Sequence, residues 1–414
     1  MNVLLVNPPG MMQGTLFDIP TNLLYLYSSL RKAGIQCYLA DGNLSGMKHI
    51  KDAIEGLPTG LVGISCLTPV RFTALEIAKY AKEHGWTTVL GGHHAHWMWK
   101  QILDNYPYVD ACAFGEGEQT IVDLATMPMG DVLGIAYRAN GQVIRTHARR
   151  YVDIDAIEFP AWDMVDWQAY RSIGRAIGPR VYYSRGCGAH CKFCNSTKFW
   201  RGYRHRSAKN FCDELAWLGE LGRDVSLFGD DNATGEEAKA LFSEMASRKG
   251  KFAYPISVTT RVDTIDAELC KLMAQCHVGE VCLGVESGSQ RMIDHMDKRI
   301  SVEQAKTAIG LVKAHGMRAT ALMIYGAIGE TQEDREASKR FIAETNPNSI
   351  GTVGSLWIFP GTKYYEEIRA GKYDAEIIRG KEFVDDAFFL NPAYAQHVIS
   401  WNRGVISPQR VTEG

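Results

Sequence analysis

The sequence predicts an α/β protein built from two strand–helix series, and three observations carry that prediction. From the first residue to about Met127, short apolar runs alternate with amphipathic stretches, the pattern of a Rossmann-like parallel sheet covered on both faces. From Pro179 to about Arg369 a second series holds six such units, too few to close like an eight-unit barrel, so a partial (β/α)6 TIM-like barrel is expected. Three closely spaced cysteines directly follow the first strand of that second series, where barrel folds carry their reactive groups. The expected boundaries are 1–128 for the first domain, 129–178 for a hairpin and linker, 179–369 for the partial barrel and 370–414 for a small C-terminal extension.

Each element follows from local pattern. In the first series the strand candidates are NVLLVN, IQCYLA, LVGISC, TTVLGG and DACAFG, nearly continuous apolar runs as two-sided burial requires. Helix candidates with an apolar stripe are Thr21–Ala33, Thr73–Glu83, Trp97–Leu103 and Glu118–Met127. YRANGQVIRT predicts a hairpin turning at Asn140-Gly141. The Pro- and aromatic-rich AIEFPAWDMVDWQAY reads as a linker. The second series has strands VYYSR, DVSLFGD, PISVTTR, EVCLGVE, RATALMIYG and GTVGSLWIFP. Its helices are expected at Lys209–Leu221, Glu236–Arg248, Asp266–Cys276, Ser301–His315 and Thr331–Glu344.

Bulk properties narrow the class. The 414 residues are 46% hydrophobic and 22% charged, ordinary for a globular protein of two or three domains. A net charge of -2 gives no electrostatic case for a nucleic-acid or anionic-membrane partner. No apolar run reaches the roughly 18 residues of a membrane span, and MNVLLVNPPG has no basic n-region, so no signal peptide is expected. Cys37, Cys66, Cys112, Cys212, Cys270, Cys276 and Cys282 form no paired framework and suit small core positions, which points to a reducing cytoplasm.

Cys187, Cys191 and Cys194 stand in SRGCGAHCKFCN, spaced C-x-x-x-C-x-x-C with no fourth cysteine beside them. Three thiolates suit a [4Fe-4S] cluster with one open iron, since full protein ligation takes four. The bland alternative is a zinc site closed by Cys212. The spacing resembles that of the radical S-adenosylmethionine (SAM) enzymes. That resemblance implies that the open iron holds the SAM amino group and carboxylate, and that one electron cleaves SAM to a 5′-deoxyadenosyl radical. Phe193 matches the family's aromatic position near the adenine.

The strand ends of the second series support the same resemblance. Phe228-Gly229-Asp230-Asp231-Asn232 follows the second strand, where Asp230 offers a carboxylate to a ribose or substrate; the alternative is a turn and helix cap. At the third, Thr259-Thr260-Arg261 presents Thr260 and a guanidinium fork for the SAM carboxylate; the alternative is an ion-paired Arg. At the fourth, Gly284-Val285-Glu286-Ser287-Gly288-Ser289 closely resembles the family's SAM motif, and Glu286 emerging from an apolar strand needs polar partners. At the fifth, Ile324 to Thr331 resembles the glycine-rich loop that passes the adenine, with Gly326 and Ile328 as its contacts. Phe359-Pro360-Gly361-Thr362 reads as a turn after the sixth.

In the first domain, Ser65-Cys66-Leu67-Thr68, Gly91-Gly92-His93 and Gly115-Glu116-Gly117-Glu118 resemble a cobalamin-binding domain. Small residues at strand ends let a flat corrin or its nucleotide tail come close. Many such domains carry D-x-H-x-x-G after the first strand. Here the loop reads Asn7-Pro8-Pro9-Gly10-Met11-Met12, so no His is expected on the lower cobalt face, and Thr68-Pro69-Val70-Arg71 is the loop that faces that side. His93, His94 and His96 read as a loop cluster, with a zinc site as the less favoured use.

The resemblance implies a [4Fe-4S] cluster, SAM and cobalamin, and a C-methyltransferase acting on an unactivated sp3 carbon. A carbon radical made by hydrogen abstraction takes methyl from methylcobalamin, and a second SAM remethylates the reduced cobalt. The alternatives are a cyclase or oxidoreductase with non-methylating or absent cobalamin, and a non-enzymatic metal-binding protein. A methylthiotransferase is disfavoured because the first domain lacks a second three-cysteine set. The substrate is a peptide or protein side chain, a glutamine of methyl-coenzyme M reductase being one guess, or a small metabolite. The expected electron donor is of flavodoxin or ferredoxin type. Tyr182, Tyr183, Tyr254 and Tyr325 are candidates to gate or relay hydrogen, and the tail aromatics Tyr373, Phe383, Phe388, Phe389, Tyr394 and Trp401 are candidates to cover the mouth between the domains, with packing the favoured reading of both sets.

Overall fold

The computed structural model describes residues 1–10, 19–172, 179–222, 227–228, 235–248 and 256–373. The chain forms two compact units, Met1–Val181 with His205–Leu227, and Tyr182–Arg204 with Phe228–Gly414. In chain order the elements begin β1 (Val3–Asn7), α1 (Thr21–Lys32), β2 (Cys37–Asp41), α2 (Gly42–Gly56), β3 (Leu61–Ser65), α3 (Arg71–Glu83), β4 (Thr87–Gly91), α4 (His93–Asn105), β5 (Ala111–Ala113) and α5 (Glu118–Thr126). A hairpin, β6 (Ile135–Ala139) and β7 (Gln142–Arg145), then leads to α6 (Trp167–Ser172) and β8 (Arg180–Val181).

The first sheet has the order β2-β1-β3-β4-β5-β6-β7. Its first five strands are parallel and the hairpin pairs antiparallel at the β5 edge. Val3, Leu5, Leu61, Val89 and Ala111 meet Ile121 and Leu124 of α5 in one core, which explains the continuous apolar strand runs. Asn140 and Gly141 both take positive φ, 50° and 75°, the two-residue hairpin turn that their sequence predicts. In the linker, Trp162 is fully buried and donates from Nε1 to Glu214 Oε1 at 2.7 Å, and Arg206 pairs with the same buried carboxylate.

The second series runs β9 (Ser184–Gly186), α7 (Ser196–Trp200), β10 (Tyr203–His205), α8 (Ala208–Glu220), β11 (Leu227–Phe228), α9 (Gly235–Ser247), β12 (Ile256–Arg261), α10 (Ala267–Gln275) and β13 (Val278–Glu286). It continues with α11 (Gln290–His295), α12 (Val302–Ala314), β14 (Arg318–Tyr325), α13 (Gln332–Thr345), β15 (Ser349–Ser355) and α14 (Lys363–Arg369). Its sheet has the order β15-β14-β13-β12-β11-β8, with chain neighbours side by side as a partial barrel requires. β12 to β15 pair in parallel. Capping boxes start α12 at Ser301 and α13 at Thr331, so both helices begin where their sequence signals place them.

Three local expectations change. Helix α2 is unexpected, because Gly42, Gly46 and Gly56 break its pattern; the chain kinks at Gly46, φ 69°. The run VYYSR is not one strand but two short pieces, β8 and β9. The histidine loop is helix: α4 starts at His93, so His93, His94 and His96 lie on its first turn.

Candidate active site

The cysteine loop follows β9. Cys187 and Cys191 are buried and Cys194 is exposed. Each sulfur has an N–H donor: Ala189 N to Cys187 Sγ at 3.3 Å, Ser196 N to Cys194 Sγ at 3.4 Å, and Arg261 Nη1 to Cys191 Sγ at 3.9 Å. Burial pushes the Cys191 thiol up, while Lys298 and Arg261 beside it pull it down. The loop is pinned by Thr197 Oγ1 donating to Cys187 O at 2.8 Å, Lys192 N donating to Met296 O at 2.9 Å, and Tyr364 N donating to Lys192 O at 3.0 Å. Among the described residues no three His, Cys, Asp or Glu side chains are already drawn together as a finished metal site. What the loop offers is three thiols within eight residues, each sulfur with an N–H donor and that of Cys191 with a cationic one, the surroundings that thiolate ligands of a cluster need. No disulfide joins any of the ten cysteines, and Cys212 is buried in α8.

Beside this loop, β13 ends in a buried ion pair. Lys298 Nζ lies 2.6 Å from Glu286 Oε1, with the two side chains 6% and 8% exposed. Glu286 has φ 69°, a left-handed backbone that a non-glycine residue adopts only where its surroundings impose it. Gly284 makes room for the lysine: a Cβ there would lie 2.8 Å from Lys298 Nζ. The Lys298 ammonium also stands 6.0 Å from the Phe193 ring centroid. Arg261 holds Asp263 with both arms of its fork at 2.8 Å and donates to Lys298 O at 3.0 Å. Thr260 is buried, its hydroxyl 2.9 Å from that of Thr264. Lys298 is a site residue that sequence reasoning misses. The available signal is a lysine twelve residues beyond Glu286, a separation that only the short α11 turns into contact.

At the end of β14, Gly326 N donates to Glu330 Oε2 at 3.0 Å and Ile328 is half-buried. Burial pushes the Glu330 carboxyl up to about 7, against the pull of the Gly326 amide and Arg335. The neighbouring Tyr325 is pushed up to about 12 by burial and by Glu330. Ser287 Oγ lies 3.3 Å from Ser338 Oγ, which also accepts from Gly288 N at 2.9 Å. Tyr183 is core, its hydroxyl donating to Glu237 O at 3.4 Å. Asp230, Tyr254, Met11, Met12 and the aromatics from Phe383 to Trp401 lie outside the described residues.

In the first unit the strand order reverses between β1 and β3, the switch point where doubly wound sheets bind ligands at their C-terminal strand ends. Asn7 and Pro8 end β1, Ser65, Leu67 and Thr68 end β3, and Gly91, Gly92 and His93 end β4. Asn7 Nδ2 donates to the buried Asp41 Oδ1 at 2.8 Å. Leu67 is 44% exposed, a large apolar side chain at the switch point. Under it Thr68 Oγ1 meets His94 Nδ1 at 3.0 Å, and the buried Arg71 donates from Nη1 to Thr68 O at 2.9 Å. Val70 is half-buried in the same loop. Burial and Arg71 push His94 down to about 3, so it is neutral and serves this network. His96 Nδ1 accepts from Gly115 N at 3.0 Å, fixing the loop that carries the buried Glu116 and Gly117. His94 and His96 thus serve different partners, and among the described residues no group of three potential metal ligands is drawn together.

The description of the Radical SAM superfamily matches residues 181–342, and that of the B12 binding domain matches residues 17–125. The chain is a B12-binding radical SAM protein. Its cofactors are therefore a [4Fe-4S] cluster, SAM and cobalamin. It is 34% identical to the anaerobic magnesium-protoporphyrin IX monomethyl ester cyclase of Rubrivivax gelatinosus over 72% of this chain and 57% of the cyclase. Against the enzyme of that name from Cereibacter sphaeroides the figures are 30%, 84% and 60%. It thus spans roughly 60% of the length of these relatives. Cytidylyl-2-hydroxyethylphosphonate methyltransferase of Streptomyces wedmorensis is 29% identical over 70% of this chain and 62% of that one. The fold is shared with the radical SAM methyltransferase TsrM from Kitasatospora setae, solved with cobalamin and a [4Fe-4S] cluster, at a TM-score of 0.79 and 16% identity. That match covers 98% of this chain and 89% of TsrM. Among the described residues no helix is long and apolar enough to cross a membrane.

Proposed function

We propose that this radical SAM enzyme is a cobalamin-dependent C-methyltransferase acting on an unactivated sp3 carbon of a peptide or protein side chain or of a small metabolite. The observation that carries the reading is the presence in one chain of a single SAM-type cysteine loop and a B12-binding domain. When bound, the cluster supplies the electron that cleaves SAM, and cobalamin carries a transferable methyl group.

Cys187, Cys191 and Cys194 would hold the cluster. The Glu286–Lys298 pair suits the amino-acid end of SAM, because a zwitterion can replace each buried partner with an opposite charge. Arg261 orients Lys298 through its carbonyl and steadies the Cys191 sulfur. Thr260, Ser287, Gly326, Ile328 and Phe193 line the remaining SAM contacts, and Asp230 is proposed with them. Asn7, Pro8, Ser65, Leu67, Thr68, Val70, Arg71, Gly91, Gly92, His93, Glu116 and Gly117 are proposed for cobalamin. Exposed Leu67 meets the corrin face, and the Asn7 carbonyl accepts from a corrin amide. A donor of flavodoxin or ferredoxin type in a reducing cytoplasm completes the proposal.

The test supplies SAM carrying a deuterated methyl group and follows the product by mass. Transfer of the intact labelled methyl supports the methyltransferase. The two cyclase relatives favour a second reading, ring formation or oxidation. Formation of 5′-deoxyadenosine with no labelled methyl in product would select that reading. In either case Cys191→Ala is expected to abolish 5′-deoxyadenosine formation.

A further inference from the structure

One carboxylate ties the end of β13 to the end of β14. Asp334, in the first turn of α13, has a side chain only 4% exposed. Its Oδ1 accepts from Ser289 Oγ at 2.6 Å and from Arg291 Nε at 3.2 Å. Its Oδ2 accepts from Thr331 N at 2.8 Å, from Thr331 Oγ1 at 2.7 Å and from Arg291 Nη2. The same Arg291 nitrogen donates to Gly329 O at 2.8 Å.

A helix cap explains the Thr331 contacts and nothing more. Ser289 and Arg291, the cap and first turn of α11 after β13, come from the other side, and their bonds reach across to α13 and to Gly329. The two loops need such a brace. Glu286 and Gly326 both have left-handed backbone, φ 69° and 68°. The β13–β14 register shifts between Gly284 and Glu286 and the last pair is Glu286 with Met323, so the loops beyond depend on side-chain contacts. Burial pushes the Asp334 carboxyl up, but Arg291, Ser289 and Thr331 outweigh it and hold it well below the usual carboxylate range.

We infer that Asp334 is a positioning residue that sets the Glu286–Ser289 loop in register with the Gly326–Gly329 loop, and with them the two sides of the SAM site. The inference rests on the SAM site of the proposed function. Asp334→Asn keeps the shape, removes the charge opposite Arg291 and turns an amide group toward donors.

Two measurements on the full chain test it. Equilibrium dialysis of SAM against the cluster-reconstituted protein should show about tenfold weaker binding in Asp334→Asn, the loss expected of one charge-assisted contact. Hydrogen exchange on the cluster-free protein should quicken in both 286–291 and 326–331 while β14 and α12 stay protected. The rate of SAM cleavage at saturating SAM should stay within about twofold of wild type, since the variant alters binding geometry rather than the cluster. Ser289→Ala, which removes the Ser289 contact to Asp334 together with the 3.4 Å cap on Met292 N of α11, should weaken SAM about threefold and serves if Asp334→Asn folds poorly. SAM affinity within about twofold of wild type in both variants, or quickened exchange confined to 326–331, overturns the inference. Absence of SAM binding by the wild-type protein would instead overturn the SAM reading, and this inference with it.

Discussion

At the residue scale, the site is built from charges taken out of water. Lys298 and Glu286 offset each other, and removing one leaves the other buried and alone. Lys298→Met is therefore expected to weaken SAM binding by about tenfold or more and to lower stability by about 3 kcal/mol, whereas Lys298→Arg should retain much of both. Denaturant unfolding and SAM titration of the two variants check this; equal behaviour of Met and Arg would refute the charge argument. Glu330 gives a pH prediction. Its folded carboxyl stands at about 7 against an ordinary 4.5, so it binds a proton more tightly in the folded chain. Its stabilising contribution is complete below about pH 4.5 and is lost as pH rises through 7. Glu330→Gln should flatten that part of the pH–stability curve, and a slope unchanged by the substitution would assign it elsewhere. Glu286 is legible in the sequence because a carboxylate closing an apolar strand must find partners. Lys298 is not, because it becomes a neighbour of Glu286 only once α11 folds. His94 shows the converse, a residue whose type suggests a ligand and whose burial makes it a neutral hydrogen-bonding partner of Thr68.

At the element scale, the strand ends are readable and the tight crossings are not. Apolar runs stop where the sheet stops, so β12, β13 and β14 end at or within a residue of the expected motifs. The strong caps at Ser301 and Thr331 fix two helix starts to the residue. Helix α2 is hidden by three glycines, and the start of α4 by the absence of a capping side chain at Gly92. Packing of α13 against the β13 loop is equally invisible, because it depends on what Gly288 lacks. A Cβ there would lie 2.6 Å from both Ser338 Cα and Phe341 Cβ. Since that backbone cannot give way cheaply, Gly288→Ala should cost about 1–3 kcal/mol, read as a lowered denaturation midpoint with unchanged m. A variant as stable as wild type would mean that α13 shifts freely, and the brace at Asp334 would lose its foundation.

At the scale of the whole molecule, one chain carries a radical SAM domain and a B12-binding domain, each on its own sheet, and their βα rhythm makes both domains legible in the sequence. The substrate is not legible, because strand ends encode what the cofactors require, and the substrate is met by whatever surrounds them. Separate domains predict separable losses. Leu67→Asp places a charge where an apolar side chain stands exposed at the β1/β3 switch point. It should abolish retention of corrin absorption after desalting and leave the iron–sulfur absorption intact. Joint replacement of Cys187, Cys191 and Cys194 by Ala should do the reverse. Leu67 is surface rather than core, so its substitution should spare the fold, and circular dichroism at the wild-type level would show that it does. If Leu67→Asp keeps its corrin, the switch point of the first sheet is not where cobalamin sits, and the glycine-flanked ends of β4 and β5 become the alternative. If it loses corrin and cluster together, binding of the two cofactors is coupled. The labelled-methyl experiment would then have to be run on protein carrying both before an unlabelled product could count against methyl transfer.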